Sequence, residues 1–518
     1  MSKKHMVTGS LLLGVSALIS RLLGVYRDHL FAVKFGAGSG NVLYDLDTYF
    51  AAFRIPDFLY NILILGTVSV ALVPIFTGYI VEEKKKEGFE FINSVTNFLL
   101  FIMLALGIII AMFSRELSSV LFPGFSGEKL EQTIMLTRII MVSPIFFALS
   151  SIAQSIQNTF KTFLAFALAP VIYNISIIGT AIFFSEQFGV YALAFGVILG
   201  SFAHFAIQIP AILKTGYRYQ AVLAWRKNDF QEMLHLIGPR LLGISAMQIL
   251  LLSDTFIASL LTAGSISIFN FSANLNWLPV GMVGISLSIA SFATFSELAK
   301  KGGKEHFVKE LSRVIEWTLL FIVPATFGMF ILRKEITELI LQGGAFSAED
   351  TILTAKTLGF FVVSIVAQSL IPIFARGFYA WKDTKTPVLA ACATVVINIA
   401  FSVGFALGLD MGVFGIALAY SLAQFFQFFL LLIFLKKRFG DFSAIFPIQS
   451  FLKFLLASLV MTVALLAGKR VFEYLAWPET FLHGVIKTSV LIFISIVIYG
   501  GCVWLVIKKR GGDFRENN

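Results

Sequence analysis

Of the 518 residues, 58% are hydrophobic and 14% are charged, and the mean hydropathy is +0.86. A soluble domain holds about 45–50% apolar and about 25% charged residues, so a water-soluble globule and a soluble domain on a single anchor are both excluded. The net charge of +10 sits in short clusters between apolar runs, not in a basic arm interleaved with aromatics, which argues against nucleic acid as a partner.

A membrane-crossing helix takes about 20 apolar residues. Breaking the chain at charge clusters and Gly/Pro punctuation predicts fourteen spans: 8–34, 44–80, 91–113, 132–158, 162–184, 188–213, 231–262, 266–298, 308–332, 351–381, 386–408, 412–435, 448–468 and 482–507. The expected fold class is an all-α polytopic membrane protein. Met1–His5 is basic, but the apolar run behind it contains Arg21 and Arg27 and no small-residue cleavage pattern, so no removable signal peptide is expected.

Alternate gaps are rich in Lys and Arg, for example Lys84–Lys86, Lys300/Lys301/Lys304 and Lys436–Arg438. The gaps between them are poorer, with Arg115/Lys129, Arg333-Lys334 and Lys469-Arg470. That bias places both termini in the cytoplasm and requires an even number of spans.

An internal repeat is present. Leu12–Ala17 reads LLGVSA and Leu241–Ala246 reads LLGISA, 229 positions later. Lys161-Thr162 precedes Asn174-Ile175, and Lys385-Thr386 precedes Asn398-Ile399, with 224 positions between the pairs. The two offsets map the first span on the seventh and the fifth on the eleventh. A six-helix unit repeated in the same orientation is a parallel repeat, a known transporter architecture. It divides the chain into a first lobe, 1–228, a second lobe, 229–440, and an appended pair of helices with a cytoplasmic tail, 441–518.

Charges inside a bilayer cost at least about 2.5–3.5 kcal/mol, so they face protein, water or a partner. The first span carries Ser20, Arg21, Arg27 and Asp28. Arg21 and Asp28, seven apart, share a face; Arg27 and Asp28 lie near the outer end, where snorkelling is an alternative. The second span holds Asp47, Arg54, Pro56, Asp57, Asn61 and Gly66, which suit either a cavity wall or structural ion pairs with the first span. The seventh holds Asp254, the eighth Asn270, Asn274 and Asn276, and the eleventh Asn398 and Ser402. A lone intramembrane carboxylate with amide and hydroxyl neighbours suits a small cation; the alternative is an interhelical hydrogen bond worth about 0.6 kcal/mol.

Enzyme signatures are scarce. The six histidines show no paired metal spacing, and no nucleophile elbow, phosphate-cradling glycine loop or nucleotide-binding domain is found. Cys392 and Cys502 read as small core residues, without a disulfide framework or metal set. No cofactor is expected, and active transport would draw on a Na⁺ gradient or the membrane potential.

Several stretches resemble the MurJ/MviN family: Ile19–Gly38, Asp47–Leu59, Ala71–Phe76, Asn158–Ser176, Asp254–Ser267 and Ala375–Val388, the last being the most specific. They are collinear over essentially the whole chain. The resemblance implies the multidrug/oligosaccharidyl-lipid/polysaccharide exporter fold, two six-helix lobes in a V around a cationic cavity, with the last two helices forming a lipid-facing groove. It implies a flippase of the bacterial inner membrane that carries lipid II, the undecaprenyl-pyrophosphate-linked peptidoglycan precursor, outward by alternating access. The phospholipid bilayer and cell-wall synthesis proteins are its implied surroundings. Arginine forks match phosphate oxygens, so cationic cavity residues fit that substrate. By the resemblance Ser20, Arg21, Arg27 and Asp47 correspond to cavity and gate positions, with Asp28, Arg54, Asn61 and Asn274 beside them; Asp254 and Asn398 correspond to a candidate sodium site.

The chain also departs from the family pattern. Tyr60 and Asn61 stand where an Arg pair is common, Asn274 stands for a cavity Arg, and Ser402 stands for a second sodium-site acid. The alternatives are a flippase for another polyprenyl-linked glycan, a drug/ion antiporter of the same superfamily, and a transport-inactive scaffold for cell-wall assembly. Arg21 and Arg27 argue against a cationic drug.

Overall fold

The computed structural model describes residues 3–38, 40–65, 72–224, 228–475, 477 and 480–508. Gly66, the loop cations Arg226 and Lys227, and the tail from Lys509 lie outside the described residues. Secondary structure among the described residues is helical, without a strand.

The chain divides into two compact units, Met1–Ser267 with Gly343–Ser347, and Ile268–Gln342 with Ala348–Asn518. The first holds α1 (Lys3–Phe35), α2 (Leu46–Tyr60) with a π-helical stretch Asn61–Leu65, and α3 (Val73–Val81). There follow α4 (Lys85–Met112), the short α5 (Ser114–Leu121), α6 (Gly127–Ile140), α7 (Ser143–Phe160), α8 (Leu164–Phe188), α9 (Tyr191–Ala206), α10 (Ile209–Lys214) and α11 (Asn228–Ser259). α12 (Ser265–Pro279) begins in this unit and leads, through the π-helical stretch Val280–Ile285, to α13 (Ser286–Lys300). The second unit continues with α14 (Lys304–Ile331), the short α15 (Arg333–Leu341), α16 (Ala348–Val362), α17 (Ile365–Ala380) and α18 (Lys385–Ser402), which ends in the π-helical stretch Val403–Gly408. α19 (Val413–Phe439), α20 (Phe442–Ile445), α21 (Ile448–Tyr474) and α22 (Phe481–Lys508) close it.

The helix ends follow local rules. Gly36 stops α1 at φ +71° and donates its N–H to the Ala32 carbonyl at 2.8 Å, a left-handed cap. A Cβ on Gly36 would also lie 2.6 Å from the Ala345 carbonyl oxygen, so both backbone angle and close approach require glycine. Asp45 caps α2, its carboxylate accepting from the Asp47 N–H at 2.9 Å.

The repeat is visible in the packing. In the first unit α4 lies on α7, α7 on α9, α8 on α9, and α3 against α4 and α7. In the second α14 lies on α17, α17 on α19, α18 on α19, and α13 against α14 and α17. α2 and α12 are each 15 residues long and each runs into a π-helical stretch. α11, which opens the second repeat in sequence, packs on α2, α4 and Asn61–Leu65, so the compact division falls within α12.

Ten helical stretches among the described residues are long and apolar enough to cross a membrane, or eleven when α16 and α17, bent by 44°, count as one. The other long stretches, α1, α2 with α3, and α11, are those that carry Arg21, Arg27 and Asp28, then Asp47, Arg54 and Asp57, then Asp254.

Phe76, Phe91 and Ile152 are buried in the first unit, and Phe307, Ile315 and Phe374 in the second. Outward-facing Phe183 and Phe493 stay 75% and 68% exposed. In water each would forfeit about 25 cal/mol per Å² of apolar surface; lipid removes that cost, and packing holds the helices together. Cys392 is exposed and Cys502 half-buried, so neither is the core residue expected from its apolar neighbours. In a membrane helix an apolar neighbourhood includes the lipid face.

The appended helices dock on α14 and α15. Met461 and Leu465 of α21 and Leu491 of α22 meet Leu332. Lys469 Nζ reaches Glu335 Oε1 at 2.6 Å, and the Tyr499 hydroxyl donates to the Leu320 carbonyl at 2.7 Å.

Candidate transport site

The first cluster joins α1 to α8. Arg27 donates from Nη2 and Nε to Asp28 Oδ1 at 2.9 and 3.2 Å, and from Nη1 to Asn174 Oδ1 at 3.2 Å. Asn174 Nδ2 reaches Ser20 Oγ at 3.2 Å and the Ser20 carbonyl at 3.3 Å. Asp28 is buried, so this pair turns into the helix packing instead of snorkelling. Arg21 stands exposed on α1, two turns before Asp28.

The second cluster ties α2 to α6 and to the turn between α11 and α12. Asp47 is 2% exposed. Its Oδ1 accepts from the Ser267 N–H at 2.9 Å and the Ser267 hydroxyl at 2.7 Å, and its Oδ2 accepts from the Gly264 N–H at 2.7 Å. The carboxylate thereby caps the start of α12, where free amides and the helix dipole favour an anion. Lys129 of α6 contacts Asp45 Oδ2 at 2.9 Å and Asp47 Oδ2 at 3.2 Å. Thr48 donates to Gln132 Oε1 at 2.7 Å. A Cβ on Gly124 would lie 1.8 Å from the Ser259 carbonyl oxygen, so the backbone is closely packed here too.

The third cluster joins α2 to α11. Arg54 Nε donates to Thr255 Oγ1 at 3.0 Å, one residue from the fully buried Asp254. Asp57 and Asp254 both lie within electrostatic reach of this guanidinium. The Asn61 amide folds back on the Asp57 carbonyl at 2.9 Å.

In the second unit Asn274 is exposed on α12, while Asn276 donates to Gln368 Oε1 at 3.1 Å. Gln368 continues to Ser364 Oγ at 2.8 Å, at the bend between α16 and α17. Asn398 and Ser402 are fully buried on α18. Among the described residues no three His, Cys, Asp or Glu side chains gather as a metal cage.

Three clusters therefore contain Ser20, Arg27, Asp28, Asp47, Arg54 and Asp254, whereas Arg21 and Asn274 are exposed on their helices. Sequence reasoning missed Asn174, Lys129, Thr255 and Ser267 as their partners. Asn174 carried a signal of its own, because the repeat pairs it with Asn398, and Thr255 and Ser267 lie in the resembling stretch Asp254–Ser267.

The family model described as lipid II flippase MurJ matches residues 32–492. A lipid II flippase MurJ of Thermosipho africanus is 32% identical over 456 residues, 87% of this chain and 89% of that one. A probable lipid II flippase MurJ of Haemophilus influenzae is 30% identical, over 95% of this chain and 98% of the relative. Among solved structures, a lipid II flippase MurJ in an inward closed conformation superposes with a TM-score of 0.80 at 29% identity, covering 96% of this chain and 99% of that one. An inward-facing multidrug resistance MATE transporter of the MOP superfamily gives a TM-score of 0.65 at 15% identity, covering 83% and 99%, a likeness of fold alone.

Proposed function

The chain belongs to the MurJ family of lipid II flippases, and from that premise we propose that it carries lipid II across the bacterial inner membrane by alternating access. The observation on the molecule that supports this best is Arg21, an exposed guanidinium on α1. Its exposure leaves the guanidinium within reach of a headgroup, and the fork of an arginine matches the oxygens of a pyrophosphate. Of the two arginines of α1, Arg27 is half-buried and paired with Asp28 while Arg21 is exposed, so the exposed Arg21 is assigned to the substrate.

The distribution of Lys and Arg supports cytoplasmic termini. With that orientation the starts of α2 and α6 and the α11–α12 turn lie on the outer side, and the Asp47 cluster is an outer latch. Translocation makes and breaks no covalent bond, so the chain is read as a transporter and not an enzyme. Energy from a Na⁺ gradient or the membrane potential belongs to the same reading, with the buried Asp254 as the acid on which to test it.

The test is rescue of cells depleted of their own lipid II flippase. Arg21→Ala is expected to fail, because losing a hydrogen-bonded charge lowers substrate binding about tenfold or more, while Arg21→Lys retains part of the rescue. Full rescue by Arg21→Ala would contradict the assignment and favour the scaffold role.

A further inference from the structure

We propose that Lys129 is a positioning residue of the transport cycle, the counter-ion that keeps Asp47 on its donors and so keeps the α11–α12 turn docked on α2. The inference rests on the alternating-access reading, in which this docking must release once per cycle.

Lys129 occupies an unexpected place. It lies in the first turn of α6, beside the positive end of the helix dipole, where acidic residues are favoured and cations are not. What offsets this is a pair of carboxylates two residues apart, Asp45 and Asp47, 4% and 2% exposed. Lys129 Nζ bridges them at 2.9 and 3.2 Å and lies 4.4 Å from the centre of the Phe125 ring. Asp45 is committed to α2, capping the Asp47 N–H. Asp47 is committed to the far side of the junction, through Gly264 and Ser267.

α2 and α6 pack along each other, so Asp45, Asp47 and Lys129 travel together when the α11–α12 turn leaves. Lys129 is therefore not itself a bond across the junction. It cancels the repulsion of Asp45 on Asp47, and without it the two carboxylates face each other with no cation between them. Asp47 is then pushed off its three donors and the turn undocks. Removing the charge of Asp45 as well takes away the repulsion and returns Asp47 to its donors.

Ser259, 4% exposed at the end of α11 and against Gly124, reports this docking. Ser259→Cys, in full-length protein with Cys392→Ser and Cys502→Ser, is reconstituted in liposomes and labelled with a membrane-impermeant maleimide. Lys129→Met is expected to label about tenfold faster, as loss of a charge-assisted hydrogen bond implies. Lys129→Arg should stay within about twofold of the parent, since it keeps the charge. Adding Asp45→Asn to Lys129→Met should restore the slow rate, a rescue that lost packing alone would not show. Unchanged labelling in Lys129→Met, or a double variant that labels as fast as the single one, overturns the proposal. Should Lys129→Met not fold, recovery of a monodisperse protein by Asp45→Asn supports it and continued misfolding contradicts it. No lipid II is present, so a flipping result and a docking result can fail separately.

Discussion

Arg54 of α2 donates through Nε to the Thr255 hydroxyl of α11 at 3.0 Å, one residue from Asp254. The contact anchors a cation that lies within electrostatic reach of two acids, Asp57 and Asp254. Thr255→Val removes the acceptor and keeps the shape. It should cost about 1.5–3 kcal/mol, the usual range for a hydrogen bond to a charged group. Thr255→Ser should behave like the parent. The measurement is the unfolding midpoint in detergent beside the transport rate, and equal behaviour of Val and Ser would contradict the role given to the hydroxyl.

Asn174 is the polar bridge between Ser20 and Arg27. Asn174→Ala leaves the Arg27 Nη1 without its amide acceptor and should lower stability by about 1–3 kcal/mol. Asn174→Asp adds a second carboxylate beside Arg27. It should weaken binding of an anionic substrate more than it lowers stability, which a binding titration on the folded variant reads directly.

The spans were legible because apolar runs of membrane length are unambiguous, and their predicted limits lie close to the helices found, for example 448–468 beside Ile448–Tyr474. The interruptions were not. The bend at 363–364 lies inside apolar sequence, and the π-helical stretches begin at Asn61, after Pro279 and at Val403, where proline and glycine permit a change of pitch without fixing where it falls. α5 and α15, of 8 and 9 residues, are too short to carry a period. In the site, Arg27 and Asp47 were conspicuous as charges among apolar neighbours. Apart from Asp28, which adjoins Arg27, the partners Asn174, Gly264 and Ser267 lie 147 and 217–220 positions away, and spacing carries no information at that range. Lys129 counted as a loop cation for the same reason, its acids lying 82 positions or more upstream.

Lys469 of α21 and Glu335 of α15 meet at 2.6 Å, with side-chain exposures of 23% and 9%. Lys469→Ala leaves a buried carboxylate unpaired and should cost about 2 kcal/mol, below the 3–5 kcal/mol of a fully buried pair because Lys469 is partly exposed. Protease cutting of the α21–α22 connection should accelerate, and Lys469→Ala with Glu335→Gln should recover most of the loss. Unchanged cutting in Lys469→Ala would show that the ion pair does not anchor the two helices.

Tyr217, in the loop after α10, donates to Asn93 Oδ1 at 2.6 Å, and burial pushes its phenol up to about 12. A folded-state value above the ordinary one means that the fold prefers the protonated phenol. Its contribution is complete below about pH 10, the unfolded value, and is lost as the pH rises through about 12. The ultraviolet difference titration between the protein and Tyr217→Phe should show one phenol ionising near 12, with the loop leaving α4 above it. A difference titration centred near the ordinary tyrosine value would contradict the buried placement.

Transport of lipid II is read on purified protein reconstituted in liposomes. Lipid II placed in one leaflet should reach the other several-fold faster with the protein than without it, and Arg21→Ala should return the rate to within about twofold of empty liposomes, as loss of the substrate's charged hydrogen bonds implies. Equal rates with and without folded protein, under a Na⁺ gradient and under a membrane potential alike, would show that the protein does not move lipid II.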